Sequence, residues 1–149
     1  MKLRHFPDND PMVIRTNIGK NTVHFFGNDV GQVLVDTGSS TDIITWQFFV
    51  KIGLSEKNLT KAVYPLIGFG GKKTEAIGKE KLNITFGEGA MMRTKAITFD
   101  IMDVPYPYNA IFGRSTINKF AAAIHQPYLC LKIPIVGWFY LFMEARTKP

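Results

Sequence analysis

An all-β chain of short strands, closed or folded over into a small barrel, is what the sequence predicts, and three observations predict it. Apolar residues recur mostly with period two, glycine-rich clusters separate the alternating segments, and only two short stretches carry helical spacing. Met12, Ile14, Thr16 and Ile18 alternate with polar neighbours, and "GKN" then turns the chain into Val23 to Phe26. "GND" turns it again, toward Gln32 to Val35. Leu82, Ile84 and Phe86 alternate with Lys81, Asn83 and Thr85, which predicts a half-buried strand. After a "GEG" turn at Gly87 to Gly89 the pattern returns in Ile97, Phe99 and Ile101, and Tyr128 to Ile133 reads as a late strand. Trp46, Phe49, Val50 and Gly53 have a short helical spacing. Ile117, Phe120, Ala121 and Ile124 form a clearer stripe, with Ser115 and Thr116 placed to cap it and Pro127 beyond its end.

The composition bounds the function. The 149 residues suit one domain with a sizeable core, and 46% hydrophobic against 20% charged residues is globular rather than disordered. A single cysteine, Cys130, excludes an internal disulfide framework and suits a reducing compartment. Met1 to Pro11 is polar and lacks the apolar core of a secretion signal, so an intracellular, cytoplasmic protein is expected, and the sequons at Asn58 and Asn83 carry no glycosylation. The net charge of +6 is scattered, without the interleaved aromatics of an RNA-binding face, so no nucleic-acid partner is expected. "IPIVGWFYLFM", Ile133 to Met143, is too short to span a bilayer; it reads as a terminal strand that packs or pairs, or as a tail unlike the rest.

Three stretches could carry chemistry, and each has an ordinary reading. "VLVDTGSSTDII", Val33 to Ile44, runs an apolar strand into Asp36, Thr37 and Gly38; a lone Asp-Thr-Gly is a common turn. A carboxylate at the end of a buried strand is nevertheless expensive without a partner or a task. "PLIGFGGKKTEAIG", Pro65 to Gly78, is a glycine-tipped hairpin; the phosphate-loop pattern is absent and no helix follows. "NAIFGRSTINKF", Asn109 to Phe120, is a strand, a glycine, an arginine and the second helical stripe.

Together, in this order and at these separations, the three resemble a retroviral-type aspartic protease, most nearly the protease region of Gypsy-type retrotransposon polyproteins. "KLNITFGEG", "RTKAITFDIMDVPYPYNAIFGR" and "YLCLKIP" extend the likeness over most of the chain. The resemblance implies an all-β acid-protease barrel with a flap hairpin and one C-terminal helix, completed as a homodimer. It divides the chain into an N-terminal extension (1–10), a protease domain (11–134) and a tail (135–149). It implies that Asp36 is the catalytic aspartate, with Thr37 reaching across to the partner subunit, Gly38 lying close to substrate and Ser39 supporting the site. Gly68, Phe69, Gly70 and Gly71 would form the flap tip that closes over a polypeptide substrate. Ile111, Phe112 and Gly113 would lie beneath the active-site loop, and Arg114 would open the helix. One departure concerns this arginine. Retroviral members commonly place an aspartate two residues after the motif's glycine to pair with it; here Ser40 stands there, and Asp42 is the nearest replacement.

Metal-free peptide hydrolysis needs one group to take a proton from water and another to give one to the carbonyl. Two carboxyls that share one proton do both. The chain holds one Asp-Thr-Gly, so the second aspartate is expected from a second copy of the chain. The Ser39 hydroxyl is expected to donate to Asp36. No cofactor and no metal are expected, because His5, His24, His125 and Cys130 lack ligand spacing. Ser39 and Ser40 lie outside any Gly-x-Ser-x-Gly elbow, and Cys130 reads as a structural thiol. The rival reading is a catalytically inactive or domesticated module of the same fold, acting in dimerisation or peptide binding.

Overall fold

The computed structural model describes residues 11–20, 27–61, 66–67, 73–74, 76–125, 130–135 and 140–144, with backbone alone for 66–67, 73–74 and 140–144. In chain order the elements are β1 (Met12–Gly19), β2 (Asn28–Val35), β3 (Ile43–Thr45), α1 (Trp46–Lys51), a 3-10 turn (Glu56–Asn58), β4 (Leu66–Ile67) and β5 (Lys73–Thr74). Then follow β6 (Gly78–Glu88), β7 (Met91–Met102), β8 (Ala110–Phe112), α2 (Arg114–Lys119), β9 (Ala123–His125), β10 (Cys130–Pro134) and β11 (Tyr140–Glu144). Six strands close a barrel in the order β1-β2-β8-β3-β7-β6, and β11-β10-β9 form a second, three-stranded sheet. The all-β expectation holds.

Strand periodicity explains the barrel. Inward residues of β6 and β7, Leu82, Ile84, Phe86, Ile97, Phe99 and Ile101, form the core with Ile14, Val33, Val35, Ile44 and Phe112. The residues between them in β2, β3 and β8 (Leu34, Ile43 and Ile111) face a second cluster with Val13, Met102 and Val104. These three strands are therefore buried on both faces, which is why "VLV", "II" and "AIF" read as unbroken apolar runs. β8 runs parallel to β2 and antiparallel to β3, which in turn runs parallel to β7.

Several boundaries differ from expectation. The predicted "GND" turn lies mostly inside β2, because Asn28 and Asp29 pair with Ile18 and Asn17 of β1 and Asp29 binds Arg15 at 2.9 Å. The hairpin after β6 turns at Gly89 and Ala90 rather than over Gly87 to Gly89, since Glu88 still pairs with Met91. α1 buries Phe48 and Phe49, while Val50 from the predicted stripe is 51% exposed. α2 is shorter than its stripe: Ile124 belongs to β9, opposite Leu131. The tail does pair, with five residues of β11 antiparallel to β10. The predicted strand Val23 to Phe26 lies outside the described residues. No described helix is long and apolar enough to cross a membrane.

Candidate active site

Three elements meet around Asp36. Val33, Leu34 and Val35 of β2 pair with Ala110, Ile111 and Phe112 of β8. The Asp36 N–H extends that ladder by one bond, donating to the Phe112 carbonyl at 2.9 Å. Beyond it the chain turns, and the Ser39 N–H donates to the Asp36 carbonyl at 3.2 Å. Asp36 is half-buried, whereas Thr37 and Gly38 are exposed, so the carboxyl sits at an open face. One of its oxygens accepts the Gly38 N–H at 2.9 Å. A side chain on Gly38 would crowd that oxygen, its Cβ lying 3.2 Å away.

The start of α2 seats the loop from below. The Arg114 N–H donates to the Ser39 carbonyl at 2.9 Å. Gly113 packs so tightly that a Cβ there would overlap the Thr41 carbonyl oxygen and lie 2.6 Å from that of Ser39. Gly113 is thus required by close backbone approach. Asp42 is 2% exposed and its Oδ1 accepts from the Gly113 N–H at 2.7 Å and the Thr116 N–H at 3.4 Å. Burial pushes the Asp42 carboxyl above its ordinary range; hydrogen bonds from Thr116 and Gly113 pull it partly back, and the neighbouring Asp100 raises it further.

Three expectations need correction. The Ser39 hydroxyl donates to the Thr41 carbonyl at 2.7 Å rather than to Asp36, a local side-chain-to-backbone bond that stiffens the loop. Asp42 does not replace the missing aspartate as partner of Arg114. Its oxygen is taken by the two amides, and the Arg114 guanidinium donates to the Thr37 carbonyl at 3.4 Å. Ser115 and Thr116 do not cap α2 with their side chains; Asp42 accepts the Thr116 amide, as a cap would, together with the amide of Gly113, the residue before the helix.

Ile111 and Phe112 pair with β2 just before the Asp36 loop, Phe112 in the barrel core and Ile111 in the outer cluster, and Gly113 packs against the loop carbonyls of Ser39 and Thr41. β4 and β5 pair antiparallel, Leu66 with Thr74 and Ile67 with Lys73, which frames a hairpin. Its tip, Gly68, Phe69, Gly70 and Gly71, lies outside the described residues. Among the described residues no three His, Cys, Asp or Glu side chains gather as a metal site. Cys130 is buried at the start of β10.

Solved structures share this fold. The chain superposes on the retroviral protease-like domain of Ddi1 from Leishmania major with a TM-score of 0.57 at 15% identity, covering 88% of this chain and 93% of that one. A retropepsin-like aspartic protease from Rickettsia conorii matches with a TM-score of 0.50 at 17% identity, with 89% of each chain covered. The fold is that of retropepsin-like protease domains. No protein-family model and no curated protein sequence matches the chain, so the likeness is one of architecture. Within the retropepsin-like fold, Asp42 is the residue whose role sequence reasoning missed. Its amide partners lie 71 and 74 residues away, so no local pattern announces them.

Proposed function

We propose that this chain is an aspartic endopeptidase in which Asp36 and the Asp36 of a second copy form the catalytic dyad. One observation carries the reading: the single Asp-Thr-Gly lies on an open face with its backbone clamped to β8 and its carboxylate oriented by the Gly38 amide. A monomer holds half of a dyad. When two such loops face each other, the like charges cannot both ionise, and one shared proton leaves an acid and a base on either side of a water molecule. The base takes a proton from the water as it attacks the peptide carbonyl, while the acid protonates the carbonyl oxygen; the first carboxyl then passes its proton to the leaving nitrogen as the second takes one back from a hydroxyl of the tetrahedral intermediate. The likeness to Gypsy-type sequences supports processing of a retrotransposon polyprotein as the biological task.

The test is cleavage of a mixed peptide library at mildly acid pH, with and without a statine-type transition-state mimic. Asp36→Asn should abolish turnover while thermal unfolding stays cooperative, because the amide matches the carboxyl in size but cannot serve as shared acid and base. Specific activity of the wild type should fall on dilution below the dimer dissociation constant. Cleavage retained by Asp36→Asn, or specific activity that stays flat where only monomer sediments, sinks the shared-dyad reading. A dimer that binds the mimic without cutting would favour the inactive module instead.

A further inference from the structure

We propose, resting on the protease reading above, that Asp42 is a positioning residue of the site: its buried carboxylate ties the start of α2 to the Asp36 loop and holds that loop in working geometry. The loop from Asp36 to Asp42 is anchored at both ends and once between. Its first end is the Asp36 N–H on Phe112, and its middle is the Ser39 carbonyl under the Arg114 N–H. Its far end is the Asp42 oxygen, which accepts the Gly113 and Thr116 amides.

Gly113 has no side chain with which to cap its own helix, and the crowding by Thr41 and Ser39 forbids one. The helix therefore takes its cap from the loop, and one contact serves both. The Asp42 backbone fastens the same residue to the barrel, since its carbonyl accepts the Asp100 N–H at 2.9 Å and Ile43, next in the chain, pairs with Ile111 and Asp100. Losing the carboxylate would leave the two amides buried without an acceptor and free the loop at the end that faces α2.

Among the charged groups on the elements around Asp42, Asp100 on β7 is the one that raises its carboxyl and is itself met by Lys79 of β6 at 3.2 Å; Arg93 and Lys95 lie earlier on β7, Arg114 and Lys119 on α2, and Asp36 at the head of the loop. Because burial raises the Asp42 carboxyl, its protonated form is favoured in the fold more than in the unfolded chain. The sign follows. Its contribution to stability is full below the ordinary carboxylate value and is lost as pH rises through the raised one. A protonated carboxyl keeps an oxygen for the two amides, so the seat survives acid, where the proposed dyad works.

The experiment compares wild type, Asp36→Asn, Asp42→Asn and Asp42→Ala, reading kcat, KM, unfolding against pH, and amide hydrogen exchange at Gly113, Arg114 and Thr116. Asp42→Ala should lower kcat by about 10²-fold, the scale of a small misplacement of reacting groups, with KM little changed. Exchange at the three amides should quicken. Asp42→Asn keeps an oxygen acceptor and should recover most of kcat and of the protection. It should also lack the loss of stability that the wild type shows as pH rises above the ordinary carboxylate range. Wild-type kcat or wild-type exchange in Asp42→Ala overturns the proposal. If Asp42→Ala does not fold, Asp42→Asn decides: kcat and exchange protection at Gly113 and Thr116 that do not change together overturn it. Failure of the protease reading looks different: the wild type cuts nothing, or Asp36→Asn cuts, whatever the Asp42 variants do to exchange.

Discussion

The helices α1 and α2 have six residues each and end alike, yet they are held by different means. In α1 the Gly53 N–H reaches the Val50 carbonyl and the Leu54 N–H that of Phe49; in α2 the Ala121 N–H reaches Asn118 and the Ala122 N–H that of Ile117. Both are the same reversal, with a left-handed residue just past the helix. α1 has glycine there, φ +83°, and α2 has alanine, φ +51°. α1 is fixed by its own residues, with the Phe49 ring buried in the core and stacked on Trp46 at 5.6 Å. α2 is gripped from outside at both ends. Asp42 accepts the amides of Gly113 and Thr116 at its start, and Arg93 of β7 donates to the carbonyls at its end, Phe120 at 2.7 Å and Lys119 at 3.3 Å. The difference follows from position: α2 lies beneath the Asp36 loop and beside the terminal sheet, and long-range bonds fix it to both.

The largest break in this comparison should come at the seat of α2. Gly113→Ala sets a methyl against two backbone carbonyls, which cannot rotate away as a side chain could. We expect a loss of about 3 kcal/mol in urea unfolding, the upper part of the overpacking range, together with loss of turnover. A stable, active Gly113→Ala protein would mean the loop and helix are not locked together. The next effect should come at the other end. Arg93 also donates to the Pro134 carbonyl at 2.9 Å, and its guanidinium lies 5.6 Å from the centre of the Phe120 ring. Arg93→Ala should cost about 2 kcal/mol, less than three charge-assisted bonds summed, because the group is only half-buried and water replaces part of the loss. Arg93→Lys should recover only part of it, since an ammonium lacks the planar fork. Arg93→Ala should also speed hydrogen exchange in β10, and unchanged exchange there would leave the terminal sheet independent of α2.

The same contrast marks what could be read from the chain. β6 and β7 were legible because each alternates over its inward-facing length and the two pair in unbroken register from Gly78–Ile101 to Glu88–Met91. The barrel and the Asp36 loop were legible through apolar runs that are buried on both faces. The start of β2 was hidden because Asn28 and Asp29 are turn formers by local preference, and pairing with β1 overrode it. The end of α2 was hidden because its apolar spacing continues through Ile124, while an alanine performs the reversal that a glycine usually signals. Asp42 and Arg93 act on partners across the chain, and local pattern carries no trace of that.

The smallest effects test whether the two helix ends differ by anything more than one methyl group. Gly53 and Ala121 are both exposed, and nothing lies within 4 Å of where a Gly53 Cβ would sit. Exchanging the residues therefore changes backbone preference and little else. A left-handed conformation costs an ordinary residue about 1–2 kcal/mol. Glycine offsets about 0.4–1 kcal/mol of that through the freedom it loses on folding. The net favours glycine by about 0.5–1 kcal/mol at either site. Gly53→Ala should thus lower stability by that amount and Ala121→Gly should raise it by as much, read as opposite shifts of the urea midpoint at constant slope. Equal and opposite shifts would make the two reversals locally equivalent. A destabilised Ala121→Gly variant would break the comparison. It would show that the grip of Arg93 on Phe120 and Lys119 holds the end of α2, and that the local turn adds nothing to it.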